Sequence, residues 1–207
     1  MLFPGPTMKI SNNSLREQYM KKLEDILGNY LYAQLAFEES LYKEVEDQLS
    51  LLDESKFADV KKLLHLVQDV LETQFSRLND SIERISKGAL QDTDAKHLDD
   101  LRLLNGLNIK IRRKTVSEML RNDYTALNLA AMGNILLHTA ALAAEAKEVA
   151  DVALEHLTNL TPFISQMNEL VPKVVARELS QDFPKVRRAV GAVAARNARR
   201  AWKTQKK

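Results

Sequence analysis

The chain has 207 residues, of which 28% are charged, and its formal net charge at neutral pH is only +2. It contains 6 Gly, 5 Pro and no Cys, which favours long helices over a sheet and excludes disulfides, thiolate metal sites and thiol catalysis. A lack of Cys is typical of a reducing compartment, and the first residues do not resemble a secretory signal. We therefore predict a soluble, cytoplasmic, all-helical protein.

The small net charge conceals an uneven distribution of charged residues. Residues 185–207 contain nine of the 30 Lys and Arg and no acidic residue, so this segment carries +9. The preceding 184 residues keep 21 basic residues against all 28 acidic ones, which gives −7. The sequence is an acidic body followed by a basic tail.

Apolar residues at intervals of three, four and seven predict two long helices in the first half of the chain. The first covers residues 14–52 and follows a flexible N-terminus at 1–13. The second covers 56–87, with Ser55 as its N-cap and Gly88 just after its end. Residues 89–112 are more than a tight turn needs, so we expect this connection to cross from one end of the helices to the other.

A third helix is predicted over residues 115–145, and it contains a long uncharged run. Residues 125–144, TALNLAAMGNILLHTAALAA, carry no formal charge, so they must lie either in a bilayer or among other helices. The length suits a bilayer, but Asn128, Asn134 and His138 interrupt the run and no aromatic belt flanks it. We predict the central, buried helix of a bundle.

A fourth helix is predicted over residues 147–178, with a kink or a break at Pro162 or Pro172, because each proline removes a backbone donor. Four helices in two hairpins, joined by a crossover, predict an antiparallel four-helix bundle over residues 14–179. Residues 180–207 then form the basic tail.

Polar residues on the apolar side of a helix are informative, because a buried polar group must be paired. A wheel of 100° per residue turns seven of them toward the core: Gln34, Glu38, Gln74, Asp123, Asn134, His138 and His156. If helices three and four turn near residues 146–147, His138 and His156 share one level, as Gln34 and Gln74 do in the first hairpin. Asp123 lies about 22 Å from His138 along its helix, which is too far for a shared site.

These residues allow two interpretations. Glu38, His138 and His156 supply a carboxylate and two imidazoles, which suit Zn or Fe. Alternatively, the inward residues form a hydrogen-bonded polar layer that fixes the register of the helices; its members are Gln34, Gln74, Asn134 and Asp123. We favour the polar layer, and so expect no cofactor. A phosphate loop, a nucleophile elbow and a His-Glu-x-x-His motif are all missing from the sequence, so we predict neither an enzyme nor a small-molecule substrate.

Three segments resemble the ferritin-like superfamily, and within it the YciE-like stress-protein family: ETQFSRL at 72–78, DYTALNLAAMGN at 123–134 and VADVALEHL at 149–157. The resemblance covers residues 20–175 and implies a single ferritin-like bundle. In that superfamily two helices each supply a carboxylate, and the other two each supply a Glu-x-x-His.

Most of that di-iron ligand set is missing from this sequence. Glu38 matches the carboxylate of helix one, but Gln74 stands where helix two would supply His. Helix three offers Thr125 or Asn128, and the order Glu155-His156 on helix four is not Glu-x-x-His. The resemblance therefore implies a ferritin-like bundle that has lost ferroxidase activity.

The basic tail also allows two interpretations. If it is a helix, the tail has an arginine face on one side and an apolar stripe on the other. The apolar stripe consists of Val186, Val190, Val193, Ala194, Ala198, Ala201 and Trp202. Such a helix suits an anionic membrane surface, an acidic partner helix or nonspecific contact with nucleic acid. The residues that would bind the anionic surface are Arg187, Arg188, Arg196, Arg199, Arg200, Trp202 and Lys203. Alternatively, the tail is disordered and only adds solubility.

The sequence thus predicts a non-catalytic ferritin-like bundle that acts in stress response or as an interaction scaffold. We expect it to form a homo-oligomer or to bind a protein partner. The alternatives are a protein that binds an anionic membrane or nucleic acid through residues 185–207, and a metal-dependent oxidase with an atypical Fe or Zn site.

Overall fold

The computed structural model describes residues 12–86 and 115–203, and within these two ranges it contains five α-helices and no strand. The helices are α1 (Asn12–Leu51), α2 (Glu54–Ser86), α3 (Val116–Ala143), α4 (Lys147–Asp182) and α5 (Ala189–Lys203). The prediction of an all-α chain is confirmed over this part. The predicted helix ends agree to within about four residues, which is close to the uncertainty of helix assignment itself. The predicted crossover at 89–112 and most of the N-terminal segment 1–13 lie outside the described residues.

The prediction that Ser55 caps α2 is wrong, because Asp53 does so. The Asp53 carboxylate accepts hydrogen bonds from the backbone N–H and the hydroxyl of Ser55, at 3.0 and 2.6 Å. The chain then kinks at Phe57, where φ is −132° and ψ is 38°. The Phe57 side chain is buried at this kink, so the start of α2 is fixed by burial as well as by the cap.

Helix α4 continues through both of its prolines, so the predicted break at Pro162 or Pro172 is not found. A proline at 162 leaves the carbonyl of Thr158 without its usual backbone donor four residues later. The hydroxyl of Thr161 donates to that carbonyl at 3.1 Å. A side chain therefore replaces the lost backbone hydrogen bond at Pro162.

Each of the four long helices packs against two others: α1 against α2 and α3, and α4 against α2 and α3. The contacts Gln34–Ala130 and Gln48–Asp123 show that α1 and α3 are antiparallel. Ion pairs between α2 and α4, Arg77–Glu155 and Arg84–Glu148, show the same for that pair. Because α1 and α2 form a hairpin, α2 and α3 run in the same direction. The last residue of α2 and the first of α3 therefore lie at opposite ends of the helices.

The buried apolar side chains form two groups that lie toward opposite ends of the four helices. The larger group includes Leu41, Val45, Leu64, Leu127 and Leu160, and the smaller one includes Leu31, Leu78, Leu137 and Ala153. Between the two groups in sequence, each of the four helices has one or two buried polar residues. A polar layer thus divides the hydrophobic core.

The prediction that α3 is buried all round is wrong for its outer face. Its inner face, including Leu120, Leu127 and Leu137, is fully buried. Its outer face exposes five large apolar side chains, at Leu129, Met132, Ile135, Leu136 and Leu142, with Met132 54% and Leu142 59% exposed. By length and composition alone, α3 is the one helix in the described residues that is apolar enough to cross a membrane.

The segment Ala189–Lys203 of the tail is a helix that packs on α4. Its contact face consists of small residues, with Gly191 and Ala195 buried and Ala198 half-buried. Most of the predicted apolar stripe does not make this contact, because Val190, Val193 and Trp202 are about half exposed or more. A Cβ on Gly191 would lie 2.8 Å from the Cα of Lys173, so only a side chain as small as hydrogen permits this approach.

Candidate functional site

The polar layer takes buried side chains from all four long helices. Helix α1 supplies Gln34 and Glu38, α2 supplies Gln74, α3 supplies Asn134 and α4 supplies His156, and none is more than 4% exposed. These five residues were predicted to face inward. Gln34 and Gln74, predicted to share a level, both belong to this layer.

Glu38 is the centre of the hydrogen bonds in this layer. Its Oε1 accepts from Gln34 Nε2 at 2.7 Å and from Asn134 Nδ2 at 3.1 Å. Both amides also donate to the carbonyl of Ala130, each at 3.1 Å. The amide of Gln34 thus connects α1 to a backbone carbonyl of α3, and the amide of Asn134 connects α3 to the carboxylate of Glu38 on α1.

The other oxygen of Glu38 faces α4. Its Oε2 lies 3.6 Å from His156 Nδ1, which is longer than a direct hydrogen bond. Gln74 Nε2 donates to the backbone carbonyl of His156 at 3.1 Å, which connects α2 to the same place on α4. Glu38 Oε2 and both ring nitrogens of His156 have no hydrogen-bond partner among the described residues. The acid and the imidazole therefore face each other in the core without a direct bond.

A glycine on α3 makes room for this layer. A Cβ on Gly133 would lie 2.0 Å from Gln34 Oε1 and 3.1 Å from its Cδ. Gln34 is buried and held by two hydrogen bonds, so it cannot turn away into solvent. Gly133 therefore lets the amide of Gln34 lie against the backbone of α3.

A second buried polar contact lies nearer the α1–α2 turn. Gln48 Nε2 donates to Asp123 Oδ1 at 2.7 Å and to Glu44 Oε1 at 3.2 Å. Asp123 is buried as predicted, and it is separate from the polar layer. Gln48 was not predicted, although its position three residues after Val45 places it on the same helix face.

The three predicted metal ligands do not converge. Glu38 and His156 meet, but His138 Nδ1 lies 2.8 Å from the carbonyl oxygen of Ala150. Ala150 precedes His156 by six residues, or about 9 Å along α4, so the prediction that His138 and His156 share a level is wrong. Among the described residues no group of three or more His, Asp or Glu side chains is arranged to hold a metal ion.

The predicted anionic-surface residues divide into two sets. Arg188 Nε donates to Ser180 Oγ at 3.2 Å, and Arg199 pairs with Glu169, so these two fasten the tail to α4. Arg187, Arg196 and Arg200 are exposed, as is Trp202. The side chain of Lys203 lies outside the described residues. The first set holds α5 in place, whereas the second faces solvent.

No protein-family model, curated protein or solved structure gives a significant match to this chain.

Proposed function

We propose that the protein is a non-catalytic interaction scaffold with the ferritin-like four-helix architecture. The directions of the helices support the architecture, because α2 and α3 are parallel and each is antiparallel to its packed neighbours, as a bundle of two hairpins with one long crossover requires. A role in stress response comes only from the resemblance to the YciE-like family and remains a prediction.

The observation that carries the non-catalytic part is the composition of the polar layer. A di-iron centre needs several carboxylates and two imidazoles in one place, whereas this layer has one of each and three amides. The amides of Gln34 and Asn134 both bond the same oxygen of Glu38. That arrangement is typical of a hydrogen-bonded layer which aligns helices. It does not favour the metal-dependent oxidase.

The scaffold part is supported by the outer face of α3. Contiguous exposed apolar patches on soluble proteins mark interaction sites, and the run 125–144 has no formal charge that would repel an identical copy. The exposed apolar residues of this face extend from Leu129 to Leu142, a length of about 20 Å along α3. We propose that two copies pack α3 against α3, because a two-fold interface uses the same patch twice.

The mass of the protein in solution tests this dimer. We expect sedimentation equilibrium to give the mass of a dimer for the native chain, and Met132→Glu to weaken the dimer at least tenfold, because it buries a carboxylate in an apolar contact. The matched control is Leu66→Glu on α2, a half-exposed leucine on the helix that does not contact α3; this variant should remain dimeric. A monomeric native protein would contradict the proposal.

A second function, binding to an anionic surface through α5, is favoured by one observation. The helix docks by its small residues, which leaves Val190, Val193 and Trp202 exposed beside the outward arginines. Apolar and cationic side chains on one exposed helix suit an anionic membrane. We expect the double variant Arg187→Gln, Arg196→Gln to elute from heparin at lower salt and to bind anionic liposomes more weakly. Unchanged retention on both would eliminate this function.

A further inference from the structure

A cleft of about 540 Å³ lies where the start of α5 meets α4 and the first turn of α2. Its volume is in the range of small-molecule sites. The polar residues that line it are Ser55, Lys56, Lys173, Arg177, Gln181 and Arg188. Four of the six are cationic and no carboxylate is among the lining residues, which distinguishes this cleft from the acidic body around it.

Two of the four positive charges are already compensated. Arg177 forms a two-point ion pair with Asp59, with Nη1–Oδ1 at 2.9 Å and Nη2–Oδ2 at 2.7 Å, and this pair holds the pKa of Asp59 below its ordinary value. Lys56 Nζ lies 3.4 Å from Asp53. Lys173 and Arg188 have no carboxylate partner among the described residues. The cleft thus has two uncompensated cations that come from different elements.

The walls of the cleft are held in place by contacts of their own. Arg177 also donates to the backbone carbonyl of Lys56 at 2.6 Å and lies over the ring of Phe57, so it joins α4 to the kink of α2. The Nε of Arg188 is bonded to Ser180, which orients its two terminal amines. Because Gly191 packs on the backbone at Lys173, the start of α5 lies close to α4. The guanidinium of Arg188 is therefore oriented before any ligand binds.

We propose that this cleft binds a small phosphate ester with at least two negative charges. The terminal amines of Arg188 match the geometry of two phosphate oxygens, and Lys173 adds a point charge. The side-chain amide of Gln181, which also lines the cleft, supplies a further hydrogen-bond donor. The site does not depend on the α3 dimer, nor on the outward arginines of α5.

Titration calorimetry of the full chain with inorganic pyrophosphate tests the site. We expect Lys173→Ala and Arg188→Ala each to weaken binding about tenfold, the loss of one charge-assisted contact. Lys43→Ala is the matched control, because it removes the same charge from an exposed side chain on α1, a helix that supplies no residue to the cleft; its affinity should stay within about twofold of the native value. Gly191→Ala changes no charge but moves the start of α5, so it should also weaken binding.

The proposal is overturned if pyrophosphate does not bind the native chain, or if Lys43→Ala weakens binding as much as Lys173→Ala, since net charge alone would then explain the effect. Circular dichroism verifies that the variants keep their helices, and Lys173→Ala alone suffices if Gly191→Ala does not fold. Vesicles of phosphatidylcholine with phosphatidic acid distinguish the source of the phosphate. If the vesicles compete with pyrophosphate and Lys173→Ala abolishes this competition, the ligand is a lipid headgroup. If pyrophosphate binds and the vesicles do not compete with it, the ligand is a free phosphate ester. Either result keeps the cleft as the site.

Discussion

Single residues determine which side chains form the polar layer. Gln34, Glu38, Gln74, Asn134 and His156 leave their helices on the core side, and all five are buried. The angle of a side chain around its own helix depends only on the helical repeat, so it can be derived from the sequence. The angular position of a polar side chain is therefore the most predictable part of the site.

The level of a side chain relative to another helix is a different quantity, and His138 shows why it was missed. The chain leaves α3 at Ala143 and enters α4 at Lys147, slightly earlier than the turn assumed near 146–147. Moving a turn by one residue shifts the paired position on the opposite helix by two. A small error in the turn therefore paired His138 with His156, when its partner is Ala150.

The turn itself contains a residue that the sequence did not single out. Glu145 has φ of 55°, and the N–H groups of Glu145 and Ala146 bond the carbonyls of Leu142 and Ala141 at 3.3 and 2.8 Å. These bonds form a Schellman motif, in which Gly is the usual residue at the left-handed position. Because a glutamate stands there instead of a glycine, no C-cap residue marks the end of α3 in the sequence.

At the scale of elements, α3 shows the limit of hydropathy as a guide. A run without charge predicts a helix whose side chains are removed from water, but it does not indicate how many other helices pack against it. Among the described helices, α3 packs against only α1 and α4, so none of them covers its outer face. The exposed face was unpredictable from the sequence, because it depends on the arrangement of the other helices.

The continuity of α4 leads to a prediction about Thr161. We expect Thr161→Val to lower the free energy of unfolding by about 0.5–1.5 kcal/mol, because it removes the donor that replaces the backbone hydrogen bond lost at Pro162. Chemical denaturation followed by circular dichroism measures the change.

The matched control is Thr158→Val on the same helix. The Thr158 hydroxyl bonds the carbonyl of Leu154 at 2.8 Å, but that carbonyl still has the backbone N–H of residue 158 as a donor. This variant should change the free energy of unfolding much less. Equal losses in the two variants would show that the Thr161 hydroxyl does not compensate for the proline.

At the scale of the whole molecule, the sequence predicted the helices well and their assembly less well. The four long helices could be located from the spacing of their apolar residues and from the residues that end helices, because both signals depend only on neighbours within a few residues. The packing of α5 on α4 was not predicted. It depends on Gly191, which lies against the backbone of α4, rather than on an apolar stripe. The small residues that dock α5 have little hydropathy and so give no signal in a hydrophobic pattern.

The assembled molecule places its polar residues in a layer between two apolar groups. A buried polar group that lacks a partner costs free energy, so the helices are most stable in the register that pairs the amides with Glu38. We propose that this layer sets the alignment of the helices and does not hold a metal ion.

Metal retention by the purified protein tests that claim most directly. The protein is dialysed against a chelator, supplied with Fe²⁺ or Zn²⁺, dialysed again, and assayed for bound metal and for its thermal midpoint of unfolding, with His156→Gln as the control. We predict substoichiometric metal and the same midpoint with and without added metal, because a ligand that does not bind the native state cannot stabilise it. Stoichiometric metal that survives the chelator, raises the midpoint and is lost in His156→Gln would contradict the account.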